Sequence, residues 1–371
     1  AELTPTKLLA ACIPFSRRLA RLTRDEQCVG TVIPPSSGGI ITMLALLMRG
    51  KTLVNLNYTT SPESIRHAIA SAGVKTVIIS SAFVAKLASR GIDLAPVLEG
   101  TTVIALEDLR KDISKGSLLM GFLSASLLPR WLLAARYFRT VPMDQTAAIL
   151  FSSGSEGVPK GVELSHRNLI ANVKQIVHVL DPVEHEAILC SLPLFHAFGL
   201  TAATLMPLVE GIKVVCQPDP TDAFAIGKLV AKHRVTILFG TSTFLGLYAR
   251  NSKLQKLMFT SLRWVVAGAE KLSAEVRQLF RDKFDQEIFE GFGATETSPV
   301  ASTNIHDHLE IEDWIVQTGS RLGTVGMPVP GTAFRIVDPD SYVELPIGEA
   351  GLILIAGPQV MKGYLHEPKK T

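Results

Sequence analysis

The stretch AAILFSSGSEGVPKG, residues 147–161, passes from an apolar, strand-like run into a loop of serines, glycines and one lysine. Backbone N–H groups without neighbouring side chains, together with small hydroxyls, suit a close-lying anion, and phosphate is the commonest such anion. The spacing differs from the Walker pattern, because Gly154, Gly157 and Lys160 follow one another at intervals of three and another glycine follows the lysine. Taken alone, the loop is either a phosphate site of a different kind or an ordinary polar turn.

The same change from strand to helix recurs along most of the chain. Helix-like segments follow apolar runs such as CVGTVIPP, TLVNLN, EAILCSLP, VTILFG and LRWVVAG. Ser61, Pro62 and Glu63, for example, supply a cap, a first-turn proline and an acid at the positive end of a helix. Near-continuous apolar strands separated by amphipathic helices predict an α/β fold with mostly parallel sheets covered on both faces.

The length of the chain and its changes of texture suggest how it is divided. A chain of 371 residues is too long for one simple core, so we expect two or three packed units. We place a first α/β subdomain at residues 1–143 and a second, which carries the candidate site, at residues 144–318. Beyond Gly319, short alternating runs broken by glycine and proline predict the start of a small antiparallel, β-barrel-like subdomain over residues 319–371.

Composition excludes several classes of function. A net charge of +3 and the lack of a long basic run argue against a nucleic-acid surface. The order of charged and apolar residues at the N-terminus does not predict a cleavable signal. The cysteines lie in or beside apolar runs without a CxxC pair, and we expect reduced thiols in a cytosolic compartment for Cys12, Cys28, Cys190 and Cys216.

The longest apolar stretch, residues 118–133, is too short to span a bilayer, which needs about 20 residues, and Pro129 interrupts it. Trp131 and nearby arginines suit a helix that lies at a membrane interface. The alternative is a helix that packs on a neighbouring domain. The arginines in question are Arg130, Arg136 and Arg139.

Ligands of open α/β sheets bind beyond the carboxyl ends of the strands, so the loops that follow strands are the candidates for a site. In SLPLFHAFGL, residues 191–200, His196 follows a strand and lies between two phenylalanines. It is either a structural histidine or a residue that contacts a carboxylate or gates a pocket.

Two further strand-end loops carry unusual residues. In VVAGAEKLS, Gly268 and Ala269 leave room for a flat ring, and Glu270 can accept hydrogen bonds from hydroxyls or pair with Lys271. In EGFGATETSP, residues 290–299, the Phe292 ring offers a face for stacking. The Thr295–Glu296 pair, called the Thr-Glu pair below, offers a hydroxyl and a carboxylate suited to Mg²⁺. Taken together with the serine- and glycine-rich loop, these loops predict a site for a nucleoside triphosphate.

The segments FSSGSEGVPKGVELSHRN, LPLFHAFG, VVAGAEKL and GFGATET resemble the signatures of the adenylate-forming acyl-activating enzymes. This family includes acyl-CoA synthetases, luciferases and nonribosomal adenylation domains, and the resemblance covers nearly all of the chain. The sequence looks closest to one branch, the acyl–acyl-carrier-protein synthetase domain of bifunctional 2-acylglycerophosphoethanolamine acyltransferases. Glu156 stands where most of the wider family has threonine, which weakens a hydroxyl contact at that position.

The resemblance implies roles for residues in these loops. Catalysis would depend on Lys160, His196, Thr295 and Glu296, with Thr295 at the α-phosphate and Glu296 as the Mg²⁺ ligand. The β- and γ-phosphates of ATP would be held by Ser152, Ser153, Gly154, Ser155, Gly157 and Lys160. The adenine would be framed by Gly268, Ala269, Glu270 and Phe292, and Gly293 would also belong to the cofactor site. The acyl pocket would be lined by Phe195, His196, Gly240, Thr241 and Phe244, with His196 as its gate.

In the family a carboxylic acid attacks the α-phosphorus of MgATP, and a thiol then takes the acyl group from the acyl-adenylate. The resemblance therefore implies an acid–thiol ligase that uses ATP and Mg²⁺ to activate a fatty acid. Acyl carrier protein is the favoured acceptor and coenzyme A, in a long-chain fatty-acid CoA ligase, is the alternative. For that branch we expect a role in phospholipid reacylation, a lysophospholipid handled by a separate domain, and a soluble chain attached peripherally to the cytoplasmic side of the inner membrane.

The resemblance also implies parts that do not occur before residue 371: a Thr-Gly-Asp stretch, a hinge and a small C-terminal domain with a lysine. We therefore expect a piece of a longer protein that is impaired in adenylation. Two other classes stay open, a noncatalytic nucleotide-binding fragment and a glycerophospholipid acyltransferase. His308 and Asp313 have the spacing of the acyltransferase motif, but their charged run is typical of a solvated loop. The adjacent residues 306–308, HDH, cannot easily converge on one metal ion.

Overall fold

The structure, a computed structural model, describes residues 2–152, 158–312 and 314–371. The chain folds into two compact units. The first unit comprises the chain up to His166 together with Pro193–His196 and Lys362–Thr371. The second unit comprises Arg167–Leu192 and Ala197–Met361.

The strands follow the predicted alternation with helices through most of the chain. In the order of the sequence they are β1 Cys28–Val32, β2 Thr52–Asn55, β3 Thr76–Ile79, β4 Thr102–Ala105, β5 Thr146–Ser152, β6 Lys160–Ser165, β7 Ala187–Cys190, β8 Lys213–Cys216, β9 Ile237–Gly240, β10 Trp264–Ala267, β11 Phe289–Gly293, β12 Val300–Thr303, β13 His308–Glu310, β14 Ile315–Gln317, β15 Met327–Pro328, β16 Ala333–Val337, β17 Leu352–Ala356 and β18 Gly363–Tyr364.

The α-helices are α1 Pro5–Leu22, α2 Ser37–Leu47, α3 Pro62–Ser71, α4 Ser81–Ala88, α5 Ala95–Leu98, α6 Leu106–Asp112, α7 Lys115–Leu127, α8 Arg130–Tyr137, α9 His166–Leu180, α10 Met206–Glu210, α11 Ala223–His233, α12 Ser242–Arg250 and α13 Ala274–Phe284. A π-helix covers Phe198–Leu205, and short 3₁₀-helices cover Lys256–Met258 and Thr295–Thr297.

The first unit is built on a sheet of strand order β18-β6-β5-β2-β1-β3-β4. Its strands are parallel from β5 to β4, whereas β6 and β18 pair antiparallel. Val29, Val54 and Val77 have no solvent exposure, because helices cover both faces of the central strands. The parallel α/β sheet predicted from the apolar runs is confirmed.

Local signals account for several helix ends in the first unit. The Ser61 hydroxyl accepts the Ser64 N–H at 3.3 Å, and Pro62 opens α3, as the sequence predicts. Pro129 separates α7 from α8, which confirms that the apolar stretch is interrupted there. Helix α1 was not predicted; it begins after a Thr4 cap and packs against α2 and α7.

The second unit is built on a sheet of strand order β15-β12-β11-β10-β9-β7-β8. The strands are parallel from β11 to β8, and β12 and β15 add an antiparallel edge. Helices α11, α12 and α13 bury an apolar core against this sheet, including the ring cluster of Phe259, Phe280 and Phe284. Of the antiparallel structure predicted beyond Gly319, the β16–β17 ribbon is present. The β13–β14 hairpin lies before that residue and was not predicted.

The contacts divide the chain differently from the expected boundaries. We expected a second subdomain to begin at residue 144, but the β5–β6 hairpin belongs to the first unit because β5 pairs with β2. Residues 319–371 are likewise shared out: β15 extends the second sheet, and β18 pairs with β6 in the first. The short alternating runs beyond Gly319 predicted antiparallel strands there, but they did not predict which strands pair with one another.

The composition led us to expect no membrane-spanning segment at residues 118–133 and reduced thiols at the four cysteines. Within residues 2–152, 158–312 and 314–371, none of the helices combines the length and apolar character that crossing a bilayer requires. The cysteines are unbridged, with Cys12 and Cys190 buried and Cys28 and Cys216 half-buried.

His166, the first residue of α9, generates a pH prediction. Its Nε2 atom is buried and has no hydrogen-bond partner among the described residues, and burial lowers the pKa of its imidazole below the ordinary value of 6.5. The unfolded chain therefore binds a proton at His166 more readily than the folded chain. The neutral ring therefore contributes its full stability above the pKa that His166 has in the unfolded chain. This contribution is lost as the pH falls from that value through the lower pKa of the folded chain.

We expect the free energy of unfolding to fall between pH 7.5 and pH 5 more steeply in the wild type than in a His166→Phe variant, which keeps a neutral ring. Urea titrations across this range measure the difference. Equal slopes for the two proteins would contradict the assignment, and His178→Phe, on the same helix, controls for the loss of an imidazole as such.

Candidate active site

The serine- and glycine-rich loop begins and ends on one hairpin of the first unit. Ser152, the last residue of β5, is the register partner of Lys160, the first residue of β6. The predicted phosphate-binding residues Ser153, Gly154, Ser155 and Gly157 lie outside the described residues, as does Glu156. Lys160 is half-buried, and its ammonium lies 5.6 Å from the ring centroid of Tyr364 on β18. The two ends of the loop are thus held together by strand pairing.

The glycine that follows the lysine has a packing reason. A Cβ atom at Gly161 would lie 3.2 Å from the Phe151 ring and 3.1 Å from Leu365. The Gly161 carbonyl accepts the Leu365 N–H at 2.7 Å, which continues the β6–β18 pairing. This departure from the Walker pattern therefore follows from the hairpin's own packing.

His196 is the last residue of the segment Pro193–His196, which belongs to the first unit and is hydrogen-bonded by the buried side-chain amide of Asn55. Asn55, at the end of β2, donates from Nδ2 to the Leu194 carbonyl at 2.7 Å and accepts the Thr31 hydroxyl at 2.6 Å. The Phe195 ring meets Tyr58 edge-to-face with centroids 4.8 Å apart. Asn55 was missed in the sequence, where its only signal is a polar residue at the end of the apolar run TLVNLN.

The environment of His196 keeps its ring neutral. The residue is exposed, yet the surrounding protein removes enough water from the imidazole to lower its pKa. At neutral pH the ring therefore presents one donor and one acceptor rather than a positive charge. The apolar helix expected after it is present, beginning as the π-helix Phe198–Leu205, a geometry that often occurs near functional sites.

In the second unit, the turns after β9 and β10 are joined by hydrogen bonds. The Gly268 N–H donates to the Gly240 carbonyl at 3.1 Å. The Glu270 carboxylate accepts the Thr243 main-chain N–H at 2.5 Å. Burial alone would raise the pKa of Glu270, but hydrogen bonds from Thr243 and from the Thr241 hydroxyl lower it overall. Two roles were predicted for Glu270: accepting hydrogen bonds from hydroxyls and pairing with Lys271. The first role has a partner within the protein, because the Thr241 hydroxyl donates to the carboxylate.

The backbone after β10 turns sharply where room for a ring was predicted. Ala269 has a φ of +70°, and a Cβ atom at Gly268 would lie 3.2 Å from the Phe198 ring. Thr241 caps α12 by accepting the Phe244 N–H at 3.3 Å. Phe244, predicted to line the acyl pocket, is half-buried and packs partly against the apolar core of this unit.

The third turn, after β11, carries the Thr-Glu pair. The register with β12 shifts between Phe292 and Gly293, and a side chain at Gly293 would collide with the Pro299 carbonyl oxygen. The 3₁₀-helix Thr295–Thr297 follows, so that Thr295 and Glu296 are both half-buried. The half-buried Phe292 ring meets Phe334 edge-to-face at 6.4 Å.

The structure therefore brings together the predicted residues of the second unit at the carboxyl ends of β9, β10 and β11. These are Gly240, Thr241, Gly268, Ala269, Glu270, Phe292, Gly293, Thr295 and Glu296. The remaining described candidates belong to the first unit: Ser152, Lys160, Phe195 and His196. Their convergence with Glu296 on one triphosphate stays a prediction.

The residues present fit a magnesium ion that is bound mainly through a nucleotide. Among the described residues there is no group of three or more His, Cys, Asp and Glu side chains that could hold a metal ion. Mg²⁺ needs only one or two carboxylates when phosphate oxygens and water complete its shell, and Glu296 can supply one.

The HDH stretch has a structural explanation. The His306 ring packs 4.3 Å from Trp264 and 4.5 Å from Phe289, and its Nε2 lies 3.1 Å from the Arg263 carbonyl oxygen. His308 begins the exposed β13–β14 hairpin. Asp313, which shares the acyltransferase spacing with His308, lies outside the described residues.

Comparisons with known proteins agree with this fold. A long-chain-fatty-acid–CoA ligase of Salmonella typhimurium is 29% identical over 355 residues, which is 89% of this chain and 60% of that protein. The 4-coumarate–CoA ligase 5 of Oryza sativa subsp. japonica is 30% identical over 369 residues, which is 96% of this chain and 64% of that protein. The chain thus spans about 60% of the length of the curated relatives it matches.

Solved structures give the same result. ATP-bound MatB from Rhodopseudomonas palustris superposes with a TM-score of 0.75 at 27% identity, covering 98% of this chain and 67% of that one. The anthranilate CoA ligase AuaEII, solved with anthranoyl-AMP, has a TM-score of 0.78 at 20% identity, covers 98% of this chain and 66% of that one, and shares the fold. The family model described as AMP-binding enzyme matches residues 2–365. The chain belongs to the family of AMP-binding enzymes.

Proposed function

We propose that this chain carries the ATP- and acyl-binding part of an acid–thiol ligase that activates a fatty acid as its adenylate. The observation that carries the proposal is the row of turns after β9, β10 and β11, which presents Gly268, Phe292, Thr295 and Glu296 at one sheet edge in a member of the AMP-binding family. The names of the relatives, which are CoA ligases of long-chain fatty acids and of 4-coumarate, support an acid–thiol ligase.

The proposed reaction has two steps. A carboxylate oxygen of the fatty acid attacks the α-phosphorus of ATP, the bond to the β-phosphate oxygen breaks, and pyrophosphate leaves. A thiolate sulfur then attacks the acyl carbonyl carbon, and AMP leaves with the electron pair of the broken acyl–oxygen bond. Because the first step brings two anions together, neutralisation of negative charge is the main requirement on the protein.

The described side chains supply this chemistry as follows. Lys160 would place a compact positive charge on the β- and γ-phosphates next to the Ser152 hydroxyl, and Thr295 would donate to the α-phosphate. Glu296 would ligate Mg²⁺, which neutralises phosphate charge and polarises the reacting phosphoryl group when bound. The neutral ring of His196 would border the acyl site without attracting the carboxylate away from the phosphorus. Gly240, Thr241 and Phe244 would line the acyl site.

Calorimetry with MgATP tests the nucleotide site. We expect Glu296→Gln and Lys160→Ala each to weaken MgATP binding at least about tenfold, because each removes a charged contact worth about 1.5–3 kcal/mol. Glu344→Gln is the matched control, because it changes an exposed carboxylate in the loop between β16 and β17. The control should bind MgATP as the wild type does.

Absence of MgATP binding by the wild type would overturn the proposed function. Unchanged binding by both site variants would overturn the assigned roles. MgATP binding without ATP–pyrophosphate exchange in the full-length protein would favour the alternative of a noncatalytic nucleotide-binding module.

We further propose acyl carrier protein as the thiol acceptor, with reacylation of a lysophospholipid as the use of the acyl group. The support is the sequence resemblance to the acyl-carrier-protein synthetase branch, including its SGSEG loop. Coenzyme A is the alternative, because the curated relatives are CoA ligases.

Acyl transfer in the full-length protein, assayed against both acceptors with fatty acids of increasing length, decides between them. We expect kcat/KM for acyl carrier protein to exceed that for coenzyme A at every chain length. A higher kcat/KM with coenzyme A would assign the protein to the long-chain CoA ligases instead.

We also propose that one surface of the first unit contacts the membrane peripherally. Between residues 113 and 143 the sequence has no acidic residue, and its basic residues Lys115, Arg130, Arg136 and Arg139 are all exposed. Helix α7 packs on α1 through Gly121 and leaves most of its large apolar side chains in solvent. The exposed apolar residues of this α7–α8 surface are Leu118, Leu119, Met120, Phe122, Leu123, Leu127, Trp131 and Phe138.

Such a surface suits the headgroup region of an anionic membrane, where fatty acids and lysophospholipids partition. We expect co-sedimentation with vesicles containing phosphatidylglycerol, weakened by salt, and a loss of about tenfold or more in a Leu127→Ser/Trp131→Ser variant, because two large apolar groups are no longer buried. Leu257→Ser, at an equally exposed leucine of the second unit, is the control. Equal co-sedimentation of the two variants would contradict membrane contact by this surface.

A further inference from the structure

Helix α9 turns a row of buried amides toward the interior of the second unit. Asn168, Asn172 and Gln175 are spaced by four and three residues, so they lie on one face of the helix. Their exposed fractions are 7%, 0% and 5%. Buried amides are unfavourable unless they are hydrogen-bonded, so the partners of these side chains are strongly specified.

Asn172 pairs with the main chain of Val300 in the way that a neighbouring strand would. Its Oδ1 accepts the Val300 N–H at 3.1 Å, and its Nδ2 donates to the Val300 carbonyl at 2.7 Å. The same Nδ2 group also donates to Gln175 Oε1 at 3.0 Å. One fully buried side chain therefore fixes both polar groups of a residue 128 positions away in the chain.

Val300 is the anchor of the segment that carries Thr295 and Glu296. The Ala294 N–H donates to the Pro299 carbonyl at 3.1 Å and to the Thr297 hydroxyl at 3.0 Å, which closes the backbone around the Thr-Glu pair. The collision expected for a side chain at Gly293 shows how closely the two ends of this loop approach. Displacement of Val300 would therefore be passed directly to Thr295 and Glu296.

A second group of contacts from α9 reaches the same segment through residues 358–361. Asn168 Nδ2 donates to the Pro358 and Val360 carbonyls at 3.0 and 2.7 Å. The Met361 N–H in turn donates to the Glu296 carbonyl at 2.8 Å. The main chain of Glu296 is thus also supported, through Met361, by a segment that the same helix face holds.

We propose that Asn172 is a positioning residue for the Thr295–Glu296 segment, holding the α-phosphate donor and the metal-binding carboxylate in place through Val300. The inference rests on the proposed function, from which the roles of Thr295 and Glu296 come. Donors and ligands act most strongly when they are held in place before the substrate arrives, and a displacement of about 1 Å can reduce the rate about 100-fold.

The test measures ATP affinity with Mg²⁺ and with EDTA for the wild type, Asn172→Ala, Glu296→Gln and the double variant. We expect Asn172→Ala to weaken MgATP binding about tenfold and ATP binding in EDTA much less, because Glu296 acts through the metal. In the double variant we expect a loss smaller than the two single losses combined, because Asn172→Ala acts in part on the contact that Glu296→Gln has already removed. Ser261→Ala is the matched control; it removes a hydrogen bond to the Val235 carbonyl near the amino ends of β9 and β10, away from the site.

Thermal unfolding of each variant shows whether it is folded. If Asn172→Ala does not fold, Asn172→Ser, which keeps a hydroxyl for one of the Val300 bonds, replaces it with a smaller expected loss. Binding by the Asn172 variant equal to that of the control, an equal loss in EDTA, or full additivity with Glu296→Gln would each overturn the inference alone. No MgATP binding by the wild type would overturn the proposed function and this inference with it.

Discussion

The parallel pairing of β9, β10 and β11 is the constraint on which the second unit's site depends. Gly240 is the register partner of Ala267, and Ala267 is that of Glu290, so the turns that follow these strands leave the sheet at one edge. Hydrogen bonds then tie the turns together: Glu290 accepts the Leu272 N–H at 3.2 Å and the Arg277 guanidinium at 2.6 Å. Residues from distant parts of the sequence become neighbours because the strands share a direction.

One glycine in each unit shows what such positions provide. A side chain at Gly293 would collide with the Pro299 carbonyl oxygen, and a side chain at Gly161 would crowd the Phe151 ring and the Leu365 side chain. Both reasons are internal to the protein. A glycine-rich stretch therefore marks close approach, and whether a ligand or another part of the chain is the approaching group depends on contacts that the stretch itself does not contain.

Much of the fold was predictable because it depends on local patterns. Apolar runs gave the strands, the Ser61 cap and Pro62 gave the start of α3, and Pro129 gave the break between α7 and α8. The loops that carry Gly268 and Glu296 were predictable as strand ends, and the structure places them side by side. Helix α1 was missed, and the pairing of β5 with β2 was not predicted, because the order of strands in a sheet is not a local property.

The supporting residues of the site could not be predicted. Asn55 contacts Leu194 139 positions away, and Asn172 contacts Val300 128 positions away. A buried amide has no local signature, since its partner is a main-chain group that every residue possesses. Pattern reasoning therefore finds the residues that face a ligand more readily than those that hold them in place.

The return of β18 to β6 has a consequence for how the protein is made. β6 ends at Ser165, and its outer edge is paired by the segment Lys362–Leu365, which includes β18. During synthesis at about 5–20 residues per second, that edge stays open for roughly 10–40 seconds while the whole second unit emerges. An unpaired strand edge is a template for association with other chains, so β6 is open to such pairing until β18 has been synthesised.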